Sequence, residues 1–62
     1  MISYWCKFFA ASGHIFGAEK MMAADDAAAM AKAAVIFAWE VGSGYEIWDR
    51  NRLVQRYVRV GR

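Results

Sequence analysis

Between Ile2 and Phe9, large apolar side chains stand on both parities of a segment that reads as extended. Ile2, Tyr4, Cys6 and Phe8 share one parity, and Trp5 and Phe9 stand beside Ser3 and Lys7 on the other. A strand with one solvated face alternates apolar and polar residues, so a strand apolar on both parities belongs in the middle of a sheet with cover on both sides. The closing part of the chain has the same character. Tyr45 and Ile47 oppose Glu46 and Trp48, while Leu53 and Tyr57 oppose Val54, Val58 and Val60. A single helix covers one face of such a sheet, and large side chains remain on the other whichever parity turns inward.

The elements follow from local chemistry. Ile2 to Ala10 lacks helical spacing and runs into Ser12-Gly13, which suits a tight reversal, and β-forming residues resume at His14-Ile15-Phe16 and continue to about Met22. This predicts a hairpin. An alanine-rich stretch follows, with Asp25 placed to cap the first exposed amides and Asp26 to complement the dipole, so a helix starts at about Asp25. Gly42-Ser43-Gly44 is read as its stop. Tyr45 to Trp48 and Leu53 to Val60 are β-rich and flank Asp49-Arg50-Asn51-Arg52, a turn whose Asp and Asn side chains bond nearby backbone groups. The expected fold is a single α+β domain over residues 1–62, ββαββ, with a four-stranded antiparallel sheet in the order 2-1-3-4. The first strand takes the middle, and the charged second and fourth strands take the edges.

At 100° per residue, Met30, Ala34, Phe37 and Val41 form a helix stripe assigned to the core. Val35 and Trp39 fall on the far side, and Ile36 sits among Asp25, Lys32 and Glu40. The apolar arc is too wide for one sheet.

Size sharpens the problem. A chain of 62 residues buries only about 60% of the surface it exposes when unfolded, so small domains rely on disulfides, a metal or a partner. Cys6 is the only cysteine and His14 the only histidine, which excludes an intrachain disulfide and a Cys/His zinc site. Hydrophobic residues make up 60% of the chain and aromatics 16%, against roughly 45–50% apolar in an ordinary domain. The sequence therefore predicts a homo-oligomer, a dimer first, or a protein partner, with Trp5, Phe9, Ile36, Trp39, Trp48 and Tyr57 as interface candidates.

No constellation for catalysis is present. His14 stands beside a turn without a second ligand or an acid-base partner, and Cys6 reads as a small buried hydrophobe. Met21, Met22 and Met30 read as core fillers. No enzyme activity and no cofactor are expected. The net charge of +2 is concentrated late in the chain, and Arg50, Arg52, Arg56 and Arg59, with Trp48 and Tyr57 in the same hairpin, make nucleic-acid binding the alternative function. No run approaches the ~20 apolar residues of a membrane span. The apolar start lacks a basic leader and is interrupted by Lys7, so it reads as a strand rather than a secretory signal. A cytoplasmic protein is the expectation.

The stretches Gly13-His14-Ile15 with Gly17-Ala18, Ala24-Asp25-Asp26-Ala27, and Tyr45-Glu46-Ile47-Trp48-Asp49 with Arg52-Leu53-Val54 resemble a set of short uncharacterised alphaproteobacterial proteins. That set shares an aromatic first strand, a Gly-His turn, an Ala-Asp-Asp-Ala helix start and a closing hairpin. The resemblance implies a bacterial cytoplasmic setting and supplies no catalytic residues.

Overall fold

A computed structural model describes residues 1–39 and 41–59. Its elements run β1 (Ile2–Phe9), β2 (Ile15–Ala23), α1 (Asp26–Phe37), β3 (Gly44–Asp49) and β4 (Arg52–Val58). The sheet is antiparallel throughout, in the order β2-β1-β3-β4. β1, apolar on both parities, takes a central place as its composition requires. Because β2 and β3 both run antiparallel to β1, they run parallel to each other, and α1 makes the crossover between them over β1. The helix-facing residues of β1 are consequently buried, Tyr4 and Cys6 at 0% exposure and Phe8 at 3%, together with Ile47 of β3 at 0%.

Local chemistry sets the turns. The first hairpin closes through Gly13 N–H donating to the Ala10 carbonyl (2.8 Å) and Ala10 N–H to that of His14 (2.9 Å). Gly13 supplies the positive φ of 90° that ends this three-residue loop. The second hairpin turns on Arg50 and Asn51, with Arg50 at φ 58°. The helix opens where the sequence places it, with Asp25 as N-cap accepting from Ala28 N–H at 2.9 Å.

The helix ends earlier than its composition suggests. It stops at Phe37, with Ala38 as C-cap, rather than running on to Gly42. By Phe37 it has crossed from Tyr4 at one end of the sheet to Phe8 and Tyr45 at the other, so another turn would have no sheet beneath it. The buried stripe is also displaced. Ala29 and Ala33 are at 0% exposure and Phe37 at 4%, Met30 and Ile36 pack at the margin, and Ala34 and Val41 are exposed. Small alanines at the centre of the contact let the helix sit close to the sheet. Glu40 and Val60, which figure in the sequence reading of the helix and the last strand, lie outside the described residues.

Gly44 belongs to β3 and is not part of a helix stop. A Cβ on it would lie 2.6 Å from Cζ of Phe9 and collide with the Tyr57 carbonyl oxygen. The Phe9 ring rests on the bare backbone there, and the Arg56 guanidinium lies 4.5 Å above that ring, so Phe9 is 3% exposed on a face that no helix covers. Gly44→Ala is expected to cost about 3 kcal/mol, the upper range for overpacking, because a backbone atom blocks the space and cannot turn aside. Urea denaturation measures it.

Candidate interaction surface

Residues directly opposite across a ladder share a face, so the register composes the face that α1 leaves open. One row runs Lys20, Trp5, Trp48, Leu53 across all four strands. The next runs Ala18, Lys7, Glu46, Arg56, and a third Ile15, Phe9, Gly44, Val58. Trp5 is 44% exposed and Leu53 45%, while Trp48 is half-buried between them. The polar groups are organised around the tryptophans. Trp48 Nε1 donates to Glu46 Oε1 at 2.9 Å, Arg56 Nε donates to Glu46 Oε2 at 3.2 Å, and Lys7 Nζ stands 5.2 Å from the Trp48 ring centroid.

The other interface candidates lie elsewhere. Tyr57 is on the helix side, 5.2 Å from Tyr45 and 5.9 Å from Phe37 between ring centroids. Leu53 and Tyr57 have the same parity in sequence, but the register shifts between Ile47 and Trp48, so Leu53 opposes Trp48 and Tyr57 opposes Tyr45. A bulge adds one residue and moves everything beyond it to the opposite face. Ile36 is half-buried and packs against the core, and Trp39 is 86% exposed just past the helix end. Lys7, Lys20, Glu46 and Leu53 join Trp5 and Trp48 on the open face without having been singled out from the sequence. Their signal is the ladder register, which no single segment carries.

The four arginines do not share a surface. Arg52 pairs with Asp26 and Asp49, each at 3.0 Å, beside the helix start. Arg56 belongs to the open face, Arg59 stacks 4.5 Å over the Phe37 ring on the helix side, and Arg50 sits at the hairpin tip. Among the described residues no group of His, Cys, Asp and Glu is placed to hold a metal. His14 is exposed and Cys6 buried. No helix among them is long and apolar enough to cross a membrane.

Beneath the helix N-terminus, Tyr4 Oη donates to Asp26 Oδ1 at 2.8 Å, and Arg52 holds both oxygens of the same carboxylate. The arginine first, then the phenol, lowers the Asp26 pKa below the usual carboxylate range. Burial first, then the bond to Asp26, raises Tyr4 from 10.0 to about 12. A lowered carboxylate contributes stability above its unfolded pKa that is lost as pH falls through the folded one. A raised phenol contributes stability below its unfolded pKa that is lost as pH rises toward the folded one. The urea midpoint is therefore expected to be level between about pH 5 and 9 and to fall on either side. The alkaline fall begins near 10.0 and extends toward 12. Tyr4→Phe should remove most of that fall and leave the part due to Tyr45, which burial also raises. An unchanged alkaline limb in the variant contradicts this assignment.

No protein-family model, curated protein or solved structure matches the chain.

Proposed function

We propose that the chain is a non-enzymatic interaction module that works through the uncovered face of its sheet, assembling with itself or docking on another protein. The observation that carries this reading is the row Trp5, Trp48, Leu53, an apolar band lying side by side across three strands on the face turned away from the helix. Ile15 at 42% exposure and Val58 at 49% lie on the same face at its two edges, separated from the band by the Lys7, Glu46 and Arg56 row. An isolated exposed hydrophobe is ordinary, whereas a contiguous patch marks an interaction site. The size of the domain supports the same reading, since no disulfide is available from Cys6 alone and a partner supplies the missing cover.

The arginine-rich hairpin supports nucleic-acid binding less well. Arg52 and Arg56 are engaged by carboxylates and Arg59 by an aromatic ring, on two different faces.

Salt separates these readings. Light scattering should give at least twice the 7.0 kDa of the chain at micromolar concentration, with no loss of mass as sodium sulfate is raised, because a kosmotropic salt strengthens apolar burial and added salt weakens phosphate contacts steeply. A particle that dissociates steeply with salt, or a purified protein that carries nucleic-acid absorbance, contradicts the proposal.

A further inference from the structure

The register of the open face carries a symmetry that names its occupant. Resting on the reading just given, we propose that the partner is a second copy, packed open face to open face about a twofold axis lying in the interface, parallel to the strands and midway between β1 and β3. These are the two central strands, so an axis between them makes the sheets overlap completely. The rotation lays β1 of each copy over β3 of the other and keeps every cross-strand row in place. Lys7 and Glu46 face each other within one row, as do Trp5 and Trp48 in the next. Each Lys7 therefore meets the other copy's Glu46, twice over, and each Trp5 meets the other copy's Trp48. At the margins Ile15, which shares its row with Val58, falls over Val58 of the other copy.

The alternative twofold in the plane, perpendicular to the strands and centred on the Lys7 row, sets Lys7 on Lys7 and Glu46 on Glu46. Like charges directly opposed disfavour it. Lys7 rests over the Trp48 ring and belongs to none of the ion pairs among the described residues. Glu46 is held by Trp48 and Arg56 of its own chain, so across the interface the Lys7 ammonium joins a carboxylate that already has Arg56 as a partner. A stable interface takes about 800 Å² from each partner. That is roughly a fifth of the 4196 Å² the chain exposes, within reach of a broad face on a body 35 × 21 × 15 Å. Stacked sheets stand about 10 Å apart, a gap that a lysine and a glutamate span together. In a symmetric pair of this kind residue i contacts j and j contacts i, as the Lys7 and Glu46 pattern requires.

Charge reversal in mixed chains tests this arrangement. Lys7→Glu alone puts two like-charge pairs in the interface, and so does Glu46→Lys, so each variant should dimerise about tenfold or more weakly than the parent. Mixed one to one, the two variants face each other with opposite charges at both places and should return to parent-like affinity as a heterodimer. An effect confined within one chain is not relieved by mixing. Circular dichroism establishes that each variant folds. If a reversal does not fold, Lys7→Gln and Glu46→Gln replace them, and mixing then restores one of the two ion pairs and favours the heterodimer over either homodimer.

A mixture that stays monomeric while both single variants are folded overturns the arrangement, and so do single variants that keep the parent's affinity. If Trp48→Glu still dissociates the parent dimer in that case, the open face stands as the interface and only the axis is wrong. A monomeric parent removes the underlying reading with it, and a co-purifying polynucleotide or foreign protein on this face overturns the second copy as occupant.

Discussion

Phe37→Ala leaves the chain without a cooperative melt at room temperature. The Phe37 ring stacks on Phe8 at 6.4 Å and meets Tyr45 and Tyr57 edge-on at 5.1 and 5.9 Å. It is the one large side chain among the fully buried helix positions, since the other two are Ala29 and Ala33. Truncating a buried phenylalanine costs about 3–5 kcal/mol through lost burial and the cavity left behind. A domain of this length has a total margin of roughly 3–9 kcal/mol at the usual share per residue. The helix has no second anchor of comparable size at its C-terminal end, so the loss is not shared. Circular dichroism and thermal melting measure it, and a variant that melts cooperatively within a few degrees of the parent contradicts the place given to Phe37.

Trp48→Glu has an effect of a different kind. Trp48 faces away from the helix, opposite Trp5 and Leu53, and its removal leaves the core of Tyr4, Cys6, Phe8, Phe37, Tyr45 and Ile47 untouched. A carboxylate in the middle of the apolar row replaces the indole surface with a group that is costly to desolvate even with Lys7 nearby, and Glu46 beside it adds a like charge. Association should be lost while the domain stays folded. Because association stabilises the folded state by mass action, the melting temperature of the parent should rise with protein concentration, and that of the variant should be lower and independent of it. A variant that retains the concentration dependence places the interface elsewhere.

Much of the fold was legible in the chain because separate local signals agreed. The double-parity character of Ile2 to Phe9 placed β1 in the middle, and the charges of β2 and β4 placed them at the edges, which together give the observed order. The Asp25 cap fixed the helix start. What escaped depends on contacts distant in sequence. The helix ends where the sheet runs out, which its own residues do not encode, and Gly44 has its role only because Phe9 and Tyr57 close on it. Leu53 and Tyr57 share a parity in sequence yet lie on opposite faces because a bulge reverses parity within β4, and no residue type marks that bulge in advance. Trp5 and Trp48 were recognisable as candidates, but that they stand side by side with Lys7 and Glu46 in the adjoining row is a property of register alone.

The central claim is that the open sheet face holds the native particle together. Sedimentation equilibrium of the parent and of Trp48→Glu, at the same micromolar concentration, tests it most directly. The account predicts a parent at no less than twice 7.0 kDa and a folded variant at the mass of one chain. A parent that sediments as a single folded chain, or a variant that keeps the parent's mass, contradicts it.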